Sequence, residues 1–286
     1  MKKRIISGVL AGIILIFIMG QPPYIMGIIV SAVSIIALYE FYQCIRKVNF
    51  HPVREVGFFS CGMFLLYIMY YSFYISLDKT AIGLLSRVLF QRNMIYLIIY
   101  LVIVYLMINL IFRRNRFTLD DIAVTLLGII YVPFMMSFVF LVRIMDNGFE
   151  LAWLVLVGTF STDTFAYFIG KFFGKAKLLP EISPNKTIAG AIGGVAGSVI
   201  CTAAFGFFYA NGYAGMRIPN YHYILLGLVC GVLAQIGDWA ASAIKRSVGI
   251  KDFGHIMPGH GGILDRIDGL LFVAPAVYFY LQFALN

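Results

Sequence analysis

The sequence predicts an all-α polytopic membrane protein of about nine transmembrane helices, with a cytosolic N-terminus and the C-terminus outside. Three observations carry that expectation. Hydrophobic residues make up 61% of 286, mean hydropathy is +0.91, and only 12% of residues are charged, about half the share in an ordinary soluble domain. A water-soluble fold of this size cannot hide so much apolar side chain. Apolar stretches of about 20 residues, long enough to cross a bilayer core as helix, recur along the chain. Finally, lysine and arginine sort cleanly by side once those stretches are taken as spans.

In order, the expected spans lie near 5–21, 24–41, 56–77, 94–112, 122–142, 151–170, 187–210, 223–242 and 266–285. The MKKR start resembles a signal peptide, but no small-residue cleavage site follows, so a retained first span is expected. With the N-terminus inside, 17 of the 22 basic residues are cytosolic, and Lys79, Arg87, Arg92, Arg143 and Arg217 lie on the other side. The net charge of +9 therefore needs no nucleic-acid partner. It reflects topology, and it gives a cytosolic face that attracts anionic lipid headgroups. Cys44, Cys61, Cys201 and Cys230 are far apart and show no CxxC pairing, so neither a disulfide framework nor a thiolate metal site is indicated.

The chain changes character near residue 150. Its first five spans are rich in Ile, Tyr, Phe and Met and nearly free of acids, Glu40 at the end of the second being the exception. Acids and bases gather afterwards. Asp163 lies eight residues before Lys171 and Asp238 seven before Lys245, so both sit at about the same depth below the cytosolic edge. A carboxylate at that depth faces a bundle interior or a wet cavity. GKFFGKA is not a phosphate-binding loop, having three residues where four are needed and Ala176 in place of Ser or Thr. Gly190, Gly193, Gly194 and Gly197 recur at helical spacing, which suits close helix packing better than a ligand.

The densest polar text is KDFGHIMPGHGGILDRID, residues 251–268, set between apolar spans. Asp265 and Asp268 stand three apart, on one face of a helix. Clustered hard oxygens beside phosphate-binding groups suit Mg²⁺, which takes one or two carboxylates and fills its other positions with phosphate and water. Asp238 could complete the cluster. Zinc is not expected, because no His pair with an acid stands at zinc spacing. The glycines of GHGG let backbone N–H groups approach an anion closely, while Lys245, Arg246, Lys251 and Arg266 add positive charge at the same edge. Metal, phosphate and headgroup depth together point to phosphoryl or nucleotidyl transfer on a lipid, chemistry that needs positioning and charge neutralisation more than a strong base.

The run from Ser242 to Asp268 resembles, without a gap, the signature of the phosphatidate cytidylyltransferase (CDP-diacylglycerol synthase) family: Ser-x-x-Lys-Arg, four residues, Lys-Asp, then His-Gly-Gly-x-x-Asp-Arg-x-Asp. STDTFAYFIGKFFGK, Ser183 to Thr187 and QIGD are similar to further blocks of that family, and the likeness extends over about 150–280. The resemblance implies a reaction of CTP with phosphatidic acid, with Mg²⁺, giving CDP-diacylglycerol and pyrophosphate. It implies metal ligands at Asp238 and Asp265 with Asp268 close by, and Lys245 among the catalytic groups. Ser183, Lys186, Thr187, Arg246 and Arg266 would hold phosphates, and Asp163, Lys251, His260, Gly261 and Gly262 would line the substrate site.

Residues 1–150 then read as a transmembrane scaffold of about five spans, and 151–286 as a catalytic transmembrane part of about four spans with cytosolic loops. A homodimer in a bacterial plasma (inner) membrane, with its site open to the cytosol, is the expected setting. Three positions depart from the family pattern: Ile188-Ala189-Gly190 stands for Trp-Glu-Gly, Ala241 for Glu, and Met257 for Leu or Ile. Two rivals remain. A phosphatidyl-alcohol transferase would continue differently after Asp268-Gly269. An ion-coupled transporter using Asp163 and Asp238 would place acids in both halves.

Overall fold

The computed structural model describes residues 2–76, 92–113, 117–256 and 261–284. The helices are α1 (Lys2–Met19), α2 (Pro23–Ile45), α3 (Arg54–Ser76), α4 (Arg92–Phe112), α5 (Leu119–Ile129), α6 (Met135–Arg143), α7 (Gly148–Phe173), α8 (Ile188–Ala204), α9 (Asn220–Ser247) and α10 (Leu264–Ala284). A π-helical stretch, Ile130–Phe134, joins α5 to α6, and another, Phe205–Asn211, extends α8. Pro133 lies in the first; it has no N–H to donate, and the widened turn absorbs the missing bond.

Among the described residues, six helical segments are long and apolar enough to cross a membrane: Pro23–Val48, Leu119–Arg143, Gly148–Phe173, Ile188–Asn211, Asn220–Ser247 and Leu264–Ala284. The chain is an integral, multi-pass, predominantly helical membrane protein. Helices α1, α3 and α4 stand at the three other expected positions. One feature falls outside the all-α expectation, a short antiparallel ribbon of β1 (Lys177–Leu179) and β2 (Ser183–Thr187). Strand β2 is polar (SPNKT) and the ribbon lies between two apolar helices, where its backbone groups pair across strands rather than in a helix.

The chain divides into two compact units, Gly20–Ser137 and Met1–Met19 with Phe138–Asn286. In the first, α2, α3 and α5 close on Tyr42, which is fully buried and donates to the Thr125 carbonyl at 3.0 Å. Gly57 and Gly128 make room for its ring; a Cβ at either would lie 2.5 Å from it. Thr118 caps α5 in a reciprocal box with Asp121, and Val53, Val56, Leu106 and Ile122 form an apolar cluster.

In the second unit, glycines lie at the helix contacts. A Cβ on Gly194 would lie 3.0 Å from Ala166 Cβ, and one on Gly197 would lie 2.2 Å from Phe165, so this face of α8 packs directly on α7. Gly158 meets Cys230 between α7 and α9, and Gly237 meets Gly269 between α9 and α10. Small residues allow such close approach where no hydrophobic force drives helices together in lipid. Helix α9 runs to Ser247, beyond the expected end near 242, because Lys245 and Arg246 favour a C-terminal last turn. Gly249, at φ +73°, then turns the chain, with the Gly249 and Ile250 N–H groups donating back to Arg246 and Lys245.

Candidate functional site

A cavity of about 510 Å³ lies within the second unit. Helix α7 lines it with Asp163, Tyr167 and Lys171, four residues apart and so stacked on one face. Helix α9 contributes Gln235, Asp238, Trp239 and Lys245, again one stripe. Strand β2 adds Lys186 and Thr187, the loop after α9 adds Asp252, and the start of α10 adds Asp265, Arg266 and Asp268.

Two ion pairs organise this lining. Lys186 pairs with Asp238, with its side chain about a third exposed. Burial alone would lower the Lys186 pKa, but the Asp238 carboxylate, helped by Asp163 and Asp268, outweighs it and raises the value above the ordinary 10.5. Lys186 is therefore held as a cation. Deeper in, Lys245 donates to Asp265 Oδ1 at 2.6 Å, and both side chains are almost wholly buried. The other Asp265 oxygen accepts from the backbone N–H groups of Phe253, at 2.9 Å, and Gly262, at 3.0 Å. Asp265 thus fastens the loop after α9 to the first turn of α10. Gly261 sits at φ +84°, and a Cβ there would lie 3.0 Å from Asp265 Oδ2, so both backbone conformation and space require glycine.

The cavity brings together Asp163, Lys186, Thr187, Asp238, Lys245, Asp265, Arg266 and Asp268 of the residues singled out in the sequence. The carboxylates of Asp163, Asp238 and Asp268 lie within electrostatic range of one another. Asp268 Oδ1 accepts from the Gly269 N–H at 2.8 Å. Thr187 caps α8 by accepting from the Gly190 N–H at 3.1 Å, so the positive end of that helix meets the cavity wall.

Others lie apart. Ser183 pairs with Leu179 in the ribbon, outside the cavity lining. Arg246 is exposed and donates to the carbonyls of Ile182 and Ile250, both at 3.2 Å. Lys251 is exposed, and Gly261 and Gly262 are not part of the lining. His260 and Met257 lie outside the described residues. Neither Ala189 nor Ala241 lines the cavity, and Ala241 is fully buried.

Sequence reasoning passed over Tyr167, Asn185, Gln235, Trp239 and Asp252, all of which line the cavity. Helical spacing carried a signal for two of them: Gln235 stands three before Asp238 and four before Trp239, so it neighbours both on α9.

Among the described residues, no three His, Cys, Asp or Glu side chains converge as a metal-binding group. The donor chemistry nonetheless fits Mg²⁺, for which one or two carboxylates suffice when phosphates complete the shell. Asp238 and Asp268 offer oxygens to the cavity. Asp265 can join them only by exchanging one of its three donors. Carboxylates for a hard cation, four lining cations and a helix N-terminus together suit a polyphosphate whose charge must be neutralised.

A profile of the cytidylyltransferase family matches residues 2–284. The chain is 36% identical over 284 residues to a phosphatidate cytidylyltransferase of Bacillus subtilis (strain 168), covering 98% of this chain and 97% of that protein. It is 42% identical over 158 residues to a phosphatidate cytidylyltransferase of Thermotoga maritima, covering 55% of this chain and 58% of that protein. With a phosphatidate cytidylyltransferase of Staphylococcus aureus (strain COL), it shares 41% identity over 167 residues, covering 58% of this chain and 61% of that protein.

Proposed function

The chain belongs to the cytidylyltransferase family, and we propose that it transfers the cytidylyl group of CTP to phosphatidic acid, releasing pyrophosphate and leaving CDP-diacylglycerol in the membrane. The single observation that carries the reading is the cavity itself: acids and bases in near balance, at the end of apolar helices, where a lipid phosphate and a soluble nucleotide can meet.

The phosphatidate oxygen attacks the α-phosphate of CTP in line, and the bond to the β-phosphate breaks. No strong base is required, because the lipid phosphate is already an anion. Lys186 and Arg266, at the cavity wall, neutralise nucleotide phosphates, and the α8 N-terminus behind Thr187 favours the same charge. Lys245, fixed by Asp265, holds positive charge at the buried side of the site. Mg²⁺ would be held by Asp238 and Asp265 with Asp268 close by, and would supply charge neutralisation to the departing pyrophosphate. Asp163 lies open to the cavity, while Ser183, Arg246, Lys251, Gly261 and Gly262 are proposed to shape the approach of substrate from the rim, and His260 is proposed as a further substrate-binding residue.

The setting that supports this chemistry has nine crossings, a cytosolic N-terminus and a site facing the cytosol, the arrangement favoured by the sorting of basic residues. The protein would act as a homodimer in a bacterial inner membrane. Cysteine labelling should then find Lys186 reachable from the cytosol and Gly212 from the opposite side; a cytosolic Gly212 would overturn the topology.

The reaction is tested with purified protein in mixed micelles containing phosphatidic acid. Pyrophosphate release should require CTP, phosphatidic acid and Mg²⁺ together. Release that is indifferent to phosphatidic acid would refute the proposal.

A further inference from the structure

Gln235 is an acceptor set in the cavity wall with its donors already committed. The residue is 5% exposed. Its amide nitrogen donates to the Ala191 carbonyl at 3.1 Å and to the Gly231 carbonyl at 2.9 Å. Both N–H bonds are thereby used, and the two backbone carbonyls fix which way the amide faces, since neither can face its oxygen. The side-chain oxygen accepts from no described group. That oxygen is not itself enclosed: it is accessible from the cavity, where a bound group can supply the missing donor.

Two aromatic rings line the same cavity among the described residues, Trp239 one turn along α9 from Gln235 and Tyr167 on α7. The indole N–H of Trp239 is buried and has no hydrogen-bond partner among the described residues, so packing alone holds that ring. Beside Gln235, the wall is built from small residues, Ala166, Gly190 and Ala191, which leave space for a flat group. Asp238, which pairs with the phosphate-neutralising Lys186, stands three residues after Gln235 on α9.

We propose that Gln235 and Trp239, with Tyr167 opposite on α7, form the base-reading part of the nucleotide site, selecting a pyrimidine that carries an exocyclic amino group. This deepens the cytidylyltransferase reading and rests on it. An amino group at the pyrimidine 4-position donates to Gln235 Oε1. Uracil offers a carbonyl oxygen at that position, and two acceptors would then face each other without a proton. The rings supply a stacking surface that is indifferent to which pyrimidine it meets. Gln235 accordingly sets which base is accepted, and Trp239 sets how tightly any base is held.

The chain contains two tryptophans, so Trp153→Phe leaves Trp239 as the only one. In that protein, with Mg²⁺ present, CTP should quench the Trp239 fluorescence, whereas inorganic pyrophosphate, having no ring, should not. UTP and the triphosphate of 2-pyrimidinone riboside, which lacks the amino group, should each need about tenfold or more higher concentration, the scale of one buried hydrogen bond. Adding Gln235→Leu should weaken CTP to the level of UTP. Equal affinity for CTP and the 2-pyrimidinone nucleotide, or a CTP preference that survives Gln235→Leu, would overturn the role of Gln235. Quenching by pyrophosphate as strong as that by CTP would overturn the role of Trp239. If Gln235→Leu does not fold, the three nucleotides compared on the Trp153→Phe protein decide the question. CDP-diacylglycerol formation by the unsubstituted protein tests the reaction separately: activity without base preference sinks this inference alone, and base preference without activity sinks the reaction alone.

Discussion

Asp121 and Asp265 are both almost fully buried acids in the first turn of a helix, one in each compact unit. Each ties a preceding segment to its helix. Asp121 accepts from the Thr118 N–H at 2.8 Å, from the Thr118 hydroxyl and from the His51 N–H. Asp265 accepts from two backbone N–H groups and from Lys245. The surroundings differ. Around Asp121 lie Thr125, Val53 and Tyr42, whose polar atoms satisfy one another: Tyr42 donates to the Thr125 carbonyl, the Val53 N–H to the Thr125 hydroxyl, and that hydroxyl to the Asp121 carbonyl. Around Asp265 lie Asp238, Asp268, Lys186 and Arg266, several with oxygens or protons turned to a cavity. The same local device serves as an end in itself in one unit, and in the other as the rigid frame of a polar site. A buried acid is thus weak evidence of function until its neighbours have been counted for unused donors and acceptors.

The comparison is most easily broken at the two acids that anchor it and at the cavity acid Asp238. Asp238→Asn should reduce turnover about 10³-fold or more while the protein stays folded, because charge stabilisation of the transition state is lost. Asp121→Asn should instead destabilise by about 1–3 kcal/mol and leave turnover per folded molecule within about twofold. Kinetics and thermal melts on the same preparations read both outcomes, and a large turnover loss in Asp121→Asn would erase the distinction. Asp265→Asn should do both kinds of damage. It removes turnover and leaves Lys245 buried without its anion, at a cost of about 3–5 kcal/mol, so a variant that melts normally would show that the clamp is dispensable.

Gly261→Ala sharpens the same point at smaller scale. The left-handed φ makes alanine strained by about 1–2 kcal/mol, and its methyl group presses on Asp265 Oδ2. Melting temperature and turnover should fall together. Lost turnover with an unchanged melting temperature would favour a direct phosphate contact over a turn.

The smallest effect concerns pH. The folded protein holds the Lys186 proton more tightly than the unfolded chain does, since Asp238 raises its pKa above 10.5. The stability this adds is complete below the ordinary lysine range and fades as pH rises through the raised value. Partial exposure of the pair keeps the effect small. Melting temperature measured from pH 8 to 11 should fall less steeply for Lys186→Gln than for the native chain; identical slopes would mean that the pair is not formed in solution.

The helical, membrane-spanning character was legible in the sequence because bilayer length is a strong constraint. Helix α10 begins as expected, with Asp265 and Asp268 on one face, and Gly194 and Gly197 do pack α8 against α7. The ribbon at 177–187 was not legible, since KLL and SPNKT are too short and irregular to carry a strand periodicity. Nor were the π-helical stretches, where Pro133 alone hinted at a local widening. At the site, the acids and bases stood out by type against apolar text. Gln235 and Trp239 did not, because an uncharged amide and an indole are ordinary in a membrane helix until the amide's own hydrogen bonds are known. The saturation of Asp265 by three donors is likewise a property of the folded loop and not of spacing.

The central claim is nucleotidyl transfer to a lipid phosphate. It is tested most directly by following label from CTP carrying ³²P at either the α or the γ position, with phosphatidic acid and Mg²⁺. The account predicts that α-label passes into the lipid-extractable product and that γ-label leaves entirely in pyrophosphate. Lipid carrying γ-label, or no labelled lipid from active, folded protein, would contradict it.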